Sequence, residues 1–352
     1  MQTMRSGLRR LRPVLALLAL VALAACAKDA PLDTLEPAGR IAEQEDALFR
    51  PVFWIAAGVF FLVEGLFIVA VVKFRDRPGK AEPKQVHGNT KAELAWTLAP
   101  ALVLVGVAVP TVVTIFDLTP SNDPQDVHVR VIGKQWWWEY EYLDTPEPHL
   151  LTANELVIPT GREIYLELTS SDVIHSFWVP KLAGKQDVVP GRTNHLELFA
   201  DEPGEYYGQC AEFCSISHAN MRLRVRALEP DAYEAWVDDQ LEPSVAASGS
   251  VAAGAQLFAN NCAVCHQVRG PDDPFSPGTG PNLTHLAGRG TFGAGLYELT
   301  EANLFDWIKN VRAQKPGVIM PVFGCGEPDA LEGGCLSDDD IGALVAYLLT
   351  LK

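Results

Sequence analysis

The stretch YGQCAEFCSISHANM, residues 207–221, gathers two thiols, an imidazole and a thioether. Cys210, Cys214, His218 and Met221 fall at i, i+4, i+8 and i+11, and a second imidazole, His175, lies in DVIHSFWVP. Structural zinc takes four Cys or His ligands with tight Cys-x2–4-Cys pairs, and Met is a poor zinc ligand. A Cys210–Cys214 disulfide is open at this spacing but leaves His218 and Met221 unexplained. Thiolate, imidazole and thioether together are soft donors that suit copper. A mononuclear blue-copper centre needs one Cys, whereas this loop has two. Two thiolates can bridge two coppers, each capped by one imidazole. The weak axial positions then take a thioether and a backbone carbonyl. A pair that shares one electron changes its geometry little on reduction, which suits fast electron transfer.

A second motif, CAVCH at 262–266, is a C-x-x-C-H haem-attachment signature. Its thiols, Cys262 and Cys265, would bond the porphyrin, and His266 would ligate the iron. Of the seven cysteines, Cys325 and Cys335 flank the Gly-rich acidic segment GEPDALEGG. In an exported compartment these two are expected to close a disulfide. No single disulfide framework explains all seven.

The elements that carry these motifs are legible in outline. A basic n-region, an apolar run of about a dozen residues and LAAC at 23–26 read as a lipoprotein-type signal over residues 1–25, with Cys26 the lipidated residue. Residues 52–72 and 94–116 are each about 20 residues long and apolar, as a membrane span requires. The connector between them is rich in Lys and Arg and is expected in the cytoplasm, so the chain beyond Asp117 lies outside. Glu64 sits mid-span, where a carboxyl needs a protein partner or a proton. Pro100 and Pro110 should kink the second span. VHVRVIG, WWWEYEYL, ELVIPTG, EIYLELTS, HLELFA and MRLRVRAL read as strands punctuated by Pro and Gly, which implies a Greek-key sandwich or barrel. The expected organisation is a helical hairpin over 40–118, a β domain over 119–240, a flexible small-residue linker over 241–252 and a haem domain over 253–352. A net charge of −16 argues against nucleic acid as a partner.

HSFWVP (175–180), KQDVVPGRTN (185–194) and the 207–221 loop resemble the dinuclear copper domain of cytochrome c oxidase subunit II. GKQWWWEYEY (133–142) resembles that family's aromatic strand, and ELAWTLAPA (93–101) its second membrane helix. The resemblance implies a cupredoxin-like fold and copper ligands His175, Cys210, Cys214, His218 and Met221, with the backbone carbonyl of Glu212. It also implies that the Glu212 carboxylate helps hold a magnesium ion at the contact with subunit I. Trp136 matches the electron-entry tryptophan, Glu93 the carboxylate near a proton-path mouth, and Asp172 an acidic residue that docks cytochrome c. Residues 252–352 resemble a class I cytochrome c, which is all-α and implies His266 and Met320 as axial ligands. The expected protein is a multidomain, multi-pass subunit of the bacterial inner membrane, partnered by subunit I and other membrane subunits. Electrons would pass from cytochrome c or another donor to haem c, then the copper pair, then subunit I, where oxygen reduction is coupled to proton translocation. A nitric-oxide-reducing relative and a free-standing anchored electron carrier are the competing expectations.

Overall fold

The computed structural model describes residues 30–75, 78–79, 85–244 and 248–352. The signal expected over 1–25, the lipidation site Cys26 and part of the basic connector lie outside these residues.

Among the described residues two long helices come first, α1 (Arg40–Phe74) and α2 (Thr90–Asp117). Their most apolar windows have mean hydropathy 2.6 and 2.3, long and apolar enough to cross a membrane. Both run past the spans expected from hydropathy alone. The added turns of α1 seat it on the β domain: Ile41 and Ala42 are buried, and the Arg40 guanidinium meets Glu163 at 2.6 Å. The start of α2 is a reciprocal cap. The Asn89 side chain accepts the Ala92 N–H, and the Glu93 carboxylate accepts the Asn89 N–H at 3.1 Å.

The β domain is two stacked five-stranded sheets in a cupredoxin-like arrangement. One contains β1 (Val127–Lys134), β2 (Trp137–Tyr142), β3 (Leu150–Ala153), β5 (Ile164–Ser170) and β8 (Asn194–Leu198), in the order β3-β2-β1-β5-β8. The other contains β4 (Glu155–Pro159), β6 (His175–Trp178), β7 (Lys185–Val188), β9 (Gly204–Cys210) and β10 (Arg222–Leu228), in the order β4-β10-β9-β6-β7. β1–β5 and β10–β4 pair in parallel, so the chain crosses between sheets. Alternation places Val127, Val129 and Val131 inward, against Trp138, Tyr140 and Phe177. The six expected strands are present. β3, β6 and β7 escaped the alternation rule because each is only four residues long, and the seven-residue β9 because Gly208 takes one of its inward positions.

The C-terminal domain is helical, with α3 (Pro230–Leu241) leading to it and α4 (Ala252–Asn261), α5 (Glu301–Lys309), α6 (Val311–Gln314) and α7 (Asp338–Leu348) within it. A short hairpin, Thr291–Phe292 with Tyr297–Glu298, interrupts the helices. α4 and α7 cross closely at Gly254, where a Cβ would meet the Tyr347 Cβ at 2.7 Å. Ser337 and Asp340 form a capping box that starts α7.

The described part of the linker differs from the flexible segment expected. Both the N–H and the hydroxyl of Ser244 donate to the Arg269 carbonyl at 2.9 and 2.8 Å, and the Arg269 guanidinium donates back to the Leu241 carbonyl. His285 Nε2 lies 3.0 Å from the Glu242 carbonyl. Small-residue composition gave no sign of these contacts because the haem domain supplies their partners.

Cys325 and Cys335 are joined by a disulfide across a separation of 10 residues. Loop-closure entropy for a ring this size is worth about 2–3 kcal/mol. The Cys325→Ser/Cys335→Ser protein should therefore lose its haem-domain fold on the order of 10 °C lower in a thermal melt. An unchanged melting temperature would mean the disulfide contributes nothing to stability.

Candidate metal centre

His175 opens β6 and Cys210 closes β9, and these adjacent strands bring the two side chains together through the Phe177–Cys210 pairing. The loop from β9 to β10 carries the other donors. Its base is closed by the Cys210 N–H to the Met221 carbonyl at 2.8 Å, and Ala211 N–H is tied to Ser176 O at 2.9 Å. A 3-10 turn, His218–Asn220, then returns the chain.

The donor atoms converge. The two sulfurs are 3.8 Å apart. Cys210 Sγ lies 3.9 Å from His175 Nδ1, and Cys214 Sγ lies 3.6 Å from His218 Nδ1, so each thiol has its own imidazole. Met221 Sδ is 3.9 Å from Cys214 Sγ, and the Glu212 carbonyl oxygen is 3.2 Å from Cys210 Sγ. Six donors in all, the two thiols included, exceed the four of a tetrahedral zinc site, and the set fits a thiolate-bridged copper pair. The Cys214 thiol shares its proton with Cys210, which holds the Cys210 thiol well below its ordinary value. The same sharing, with burial, pushes Cys214 up.

Around these donors a supporting layer fixes the rings. His175 Nε2 is 2.8 Å from Asp172 Oδ1, leaving Nδ1 toward the sulfurs. Burial lowers the His175 imidazole, but its bonds to Cys210 and Asp172 leave it raised overall. Asp172 also accepts the Gln135 and Val173 N–H groups, each at 2.6 Å. Despite partial burial, bonds from His175 and these two amides hold its carboxyl below its ordinary value. Asp172, expected as a donor-docking residue, is exposed and also engages the His175 ring. Gly133 gives that ring room, since a Cβ there would meet His175 Cδ2 at 2.8 Å. An interior strand glycine was the available signal for this close approach. The Glu212 residue is exposed.

Trp136 is 6% exposed, and its indole N–H donates to the Cys214 carbonyl at 2.7 Å. Its other side belongs to a second cavity, lined by Cys262, Cys265, His266, Met320 and apolar residues including Phe258, Leu304 and Leu344. His266 Nδ1 lies 2.8 Å from the Pro281 carbonyl, which leaves Nε2 as the ring's other nitrogen. Gly280 packs on the ring; a Cβ there would meet Cε1 at 2.5 Å. This combination of two free thiols, an imidazole and a thioether around an apolar cavity fits a covalently attached haem. Arg289 also lines the cavity, and burial lowers its guanidinium to about 10. A haem carries carboxylates that would suit it. Arg289 lies outside any motif, so only the folded cavity reveals it.

Three family models match the chain: "Cytochrome C oxidase subunit II, transmembrane domain" over residues 32–113, "Cytochrome C oxidase subunit II, periplasmic domain" over 146–228, and "Cytochrome c" over 251–352. Cytochrome c oxidase subunit 2 of Alkalihalophilus pseudofirmus is 38% identical over 340 residues, covering 93% of this chain and 93% of the relative. That of Bacillus sp. strain PS3 is 36% identical over 339 residues, covering 91% and 92%. Quinol oxidase subunit 2 of Bacillus spizizenii is 33% identical over 239 residues, covering 65% and 73%. Similarity therefore extends to a relative named for a different donor, and the ligand set must carry the copper reading.

Proposed function

Because the chain belongs to the cytochrome c oxidase subunit II family and carries a cytochrome c domain, we propose that it delivers electrons to a haem–copper oxidase subunit I, entering at haem c and leaving from the copper pair. His175, Cys210, Cys214, His218, Met221 and the Glu212 carbonyl would hold two coppers. Cys262, Cys265, His266 and Met320 would hold the haem. When bound, each group supplies a one-electron carrier. The chain's own residues keep the two sites adjacent and line the haem cavity with apolar side chains, which limits rearrangement on electron transfer. Trp136 lies between them, lining the haem cavity and bonded to the Cys214 carbonyl. That bridging position is the observation that carries this reading.

The remaining assignments follow from the same membership. The exposed Glu212 carboxylate would serve a magnesium ion shared with subunit I, and Glu93 would open a proton path into that partner. α1 and α2 would span the bacterial inner membrane beside other membrane subunits, with the copper and haem domains on the periplasmic side and Cys26 lipidated. The exposed Asp172 would dock an external cytochrome c donor while also holding the His175 ring.

The purified complex, supplied with reduced cytochrome c, should consume oxygen and should not require nitric oxide as acceptor. Turnover with nitric oxide alone would assign the chain to a nitric-oxide-reducing enzyme. A chain that purifies without a haem-bearing membrane partner would make it a free-standing carrier.

A further inference from the structure

The haem domain meets the copper domain through an interface centred on three consecutive residues, Lys315-Pro316-Gly317. Lys315 is 3% exposed, and its ammonium has no carboxylate partner among the described residues. Its Nζ instead donates to the Trp136 carbonyl at 2.6 Å and the Gly293 carbonyl at 3.1 Å. Before the domains meet, this amine would be solvated. Its burial is tolerable only where both acceptors are in register. Pro316 offers its carbonyl to the Ser217 hydroxyl at 2.5 Å, and Ser217 is fully buried beside the ligand His218. Gly317 has φ +85, and a Cβ there would meet Trp136 Cη2 at 2.7 Å, so its bare Cα lies on the indole. Three residues further on stands Met320.

One short segment therefore runs from the axial thioether of the haem site to the ring, the backbone and the loop of the copper site. Polar contacts on either side hold the same seam. The Glu155 carboxylate accepts the Thr291 N–H at 2.6 Å and its hydroxyl at 2.8 Å, and Arg224 donates to the Gly295 carbonyl at 3.1 Å. Surface complementarity alone would not demand a buried amine on one particular carbonyl.

We infer that Lys315-Pro316-Gly317 is a clasp that fixes the haem domain on Trp136 and thereby sets the rate of electron transfer between the two sites. The inference rests on the electron path proposed above. Electronic coupling falls far more steeply across a gap than through bonds and hydrogen bonds. A clasp that keeps Gly317 on the indole removes such a gap, and the Trp136–Cys214 hydrogen bond continues the path. Lys315 and Gly317 are positioning residues in this account, because they act through Trp136. The same clasp covers Trp136, so an external donor must reduce haem c and cannot reach the copper site directly through that ring.

The test uses the full complex with Lys315→Met and, separately, Gly317→Val. Hydrogen–deuterium exchange at Ser217 and across residues 315–318 reports the clasp whether or not the metals are bound. Photoinjected electrons report transfer from haem c to the copper pair, with the haem and near-infrared spectra confirming that both centres remain. Each variant should raise exchange and slow transfer by about tenfold or more, as small misplacements near a reacting centre do. Raised exchange with wild-type transfer would overturn the inference, and so would wild-type exchange with wild-type transfer. Should one variant fail to fold, the other still decides. Absent copper or haem in the wild-type complex would instead sink the electron path, leaving the exchange result to judge the clasp.

Discussion

Cys210→Ser should abolish the near-infrared absorption of the copper pair while leaving the haem c spectrum intact. The Cys210 sulfur would serve the copper pair of the proposed site: it lies 3.8 Å from Cys214 Sγ, 3.9 Å from His175 Nδ1 and 3.2 Å from the Glu212 carbonyl. A serine hydroxyl is a hard, weakly acidic donor and does not bridge soft metals as a thiolate does. Changing outer-shell residues alone costs about 10–100-fold in metal affinity, and removing a bridging ligand should exceed that. The haem domain has its own core around Phe258, Leu304, Ile341 and Leu348, with no member drawn from the copper loop. Its spectrum is therefore the internal control. Survival of the near-infrared band in this variant would mean that the ligand assignment is wrong.

Met320→Ala should lower the haem midpoint potential. A thioether axial ligand raises the potential relative to most alternatives, and axial ligation tunes haem proteins over about 0.8 V. Met320 lines the haem cavity together with Ile319 and Pro321, and Cys262, Cys265 and His266 line the same cavity. Alanine removes the donor and opens a gap that water can enter, which also favours the oxidised haem. Potentiometric titration of the alpha band reads the change directly. An unchanged potential would place another residue on the sixth position.

Ligand types and spacing were legible before folding wherever chemistry demands unusual residues in sequence. Cys210, Cys214, His218 and Met221 lie in one loop, and Cys262, Cys265 and His266 in one motif. The two long helices were legible because a membrane span leaves an uninterrupted apolar run. Their true lengths were not, because the first turns of α1 are amphipathic and are fixed by burial of Ile41 and Ala42 on the β domain. The four-residue strand β6 was missed because His175 and Ser176 take buried positions that a pattern of apolar residues reserves, and β9 because Gly208 sits at one of its inward positions.

The least legible part was what joins the sites. Asp172 reads as a surface acid in sequence, yet its partners are a ring three residues away and an amide 37 residues away. Lys315 belongs to no sequence motif, yet it is buried on a carbonyl 179 residues distant. Such contacts depend on how whole domains meet, and no local pattern encodes them. Gly133 and Gly317 gave a partial signal, because a glycine inside a strand or beside a ligand often marks close approach.

Metal analysis of the purified mature protein tests the central claim most directly. The six converging donors and the haem cavity require two coppers and one iron per chain, with zinc absent. Zinc in place of copper, a single copper, or a chain without iron would contradict the account.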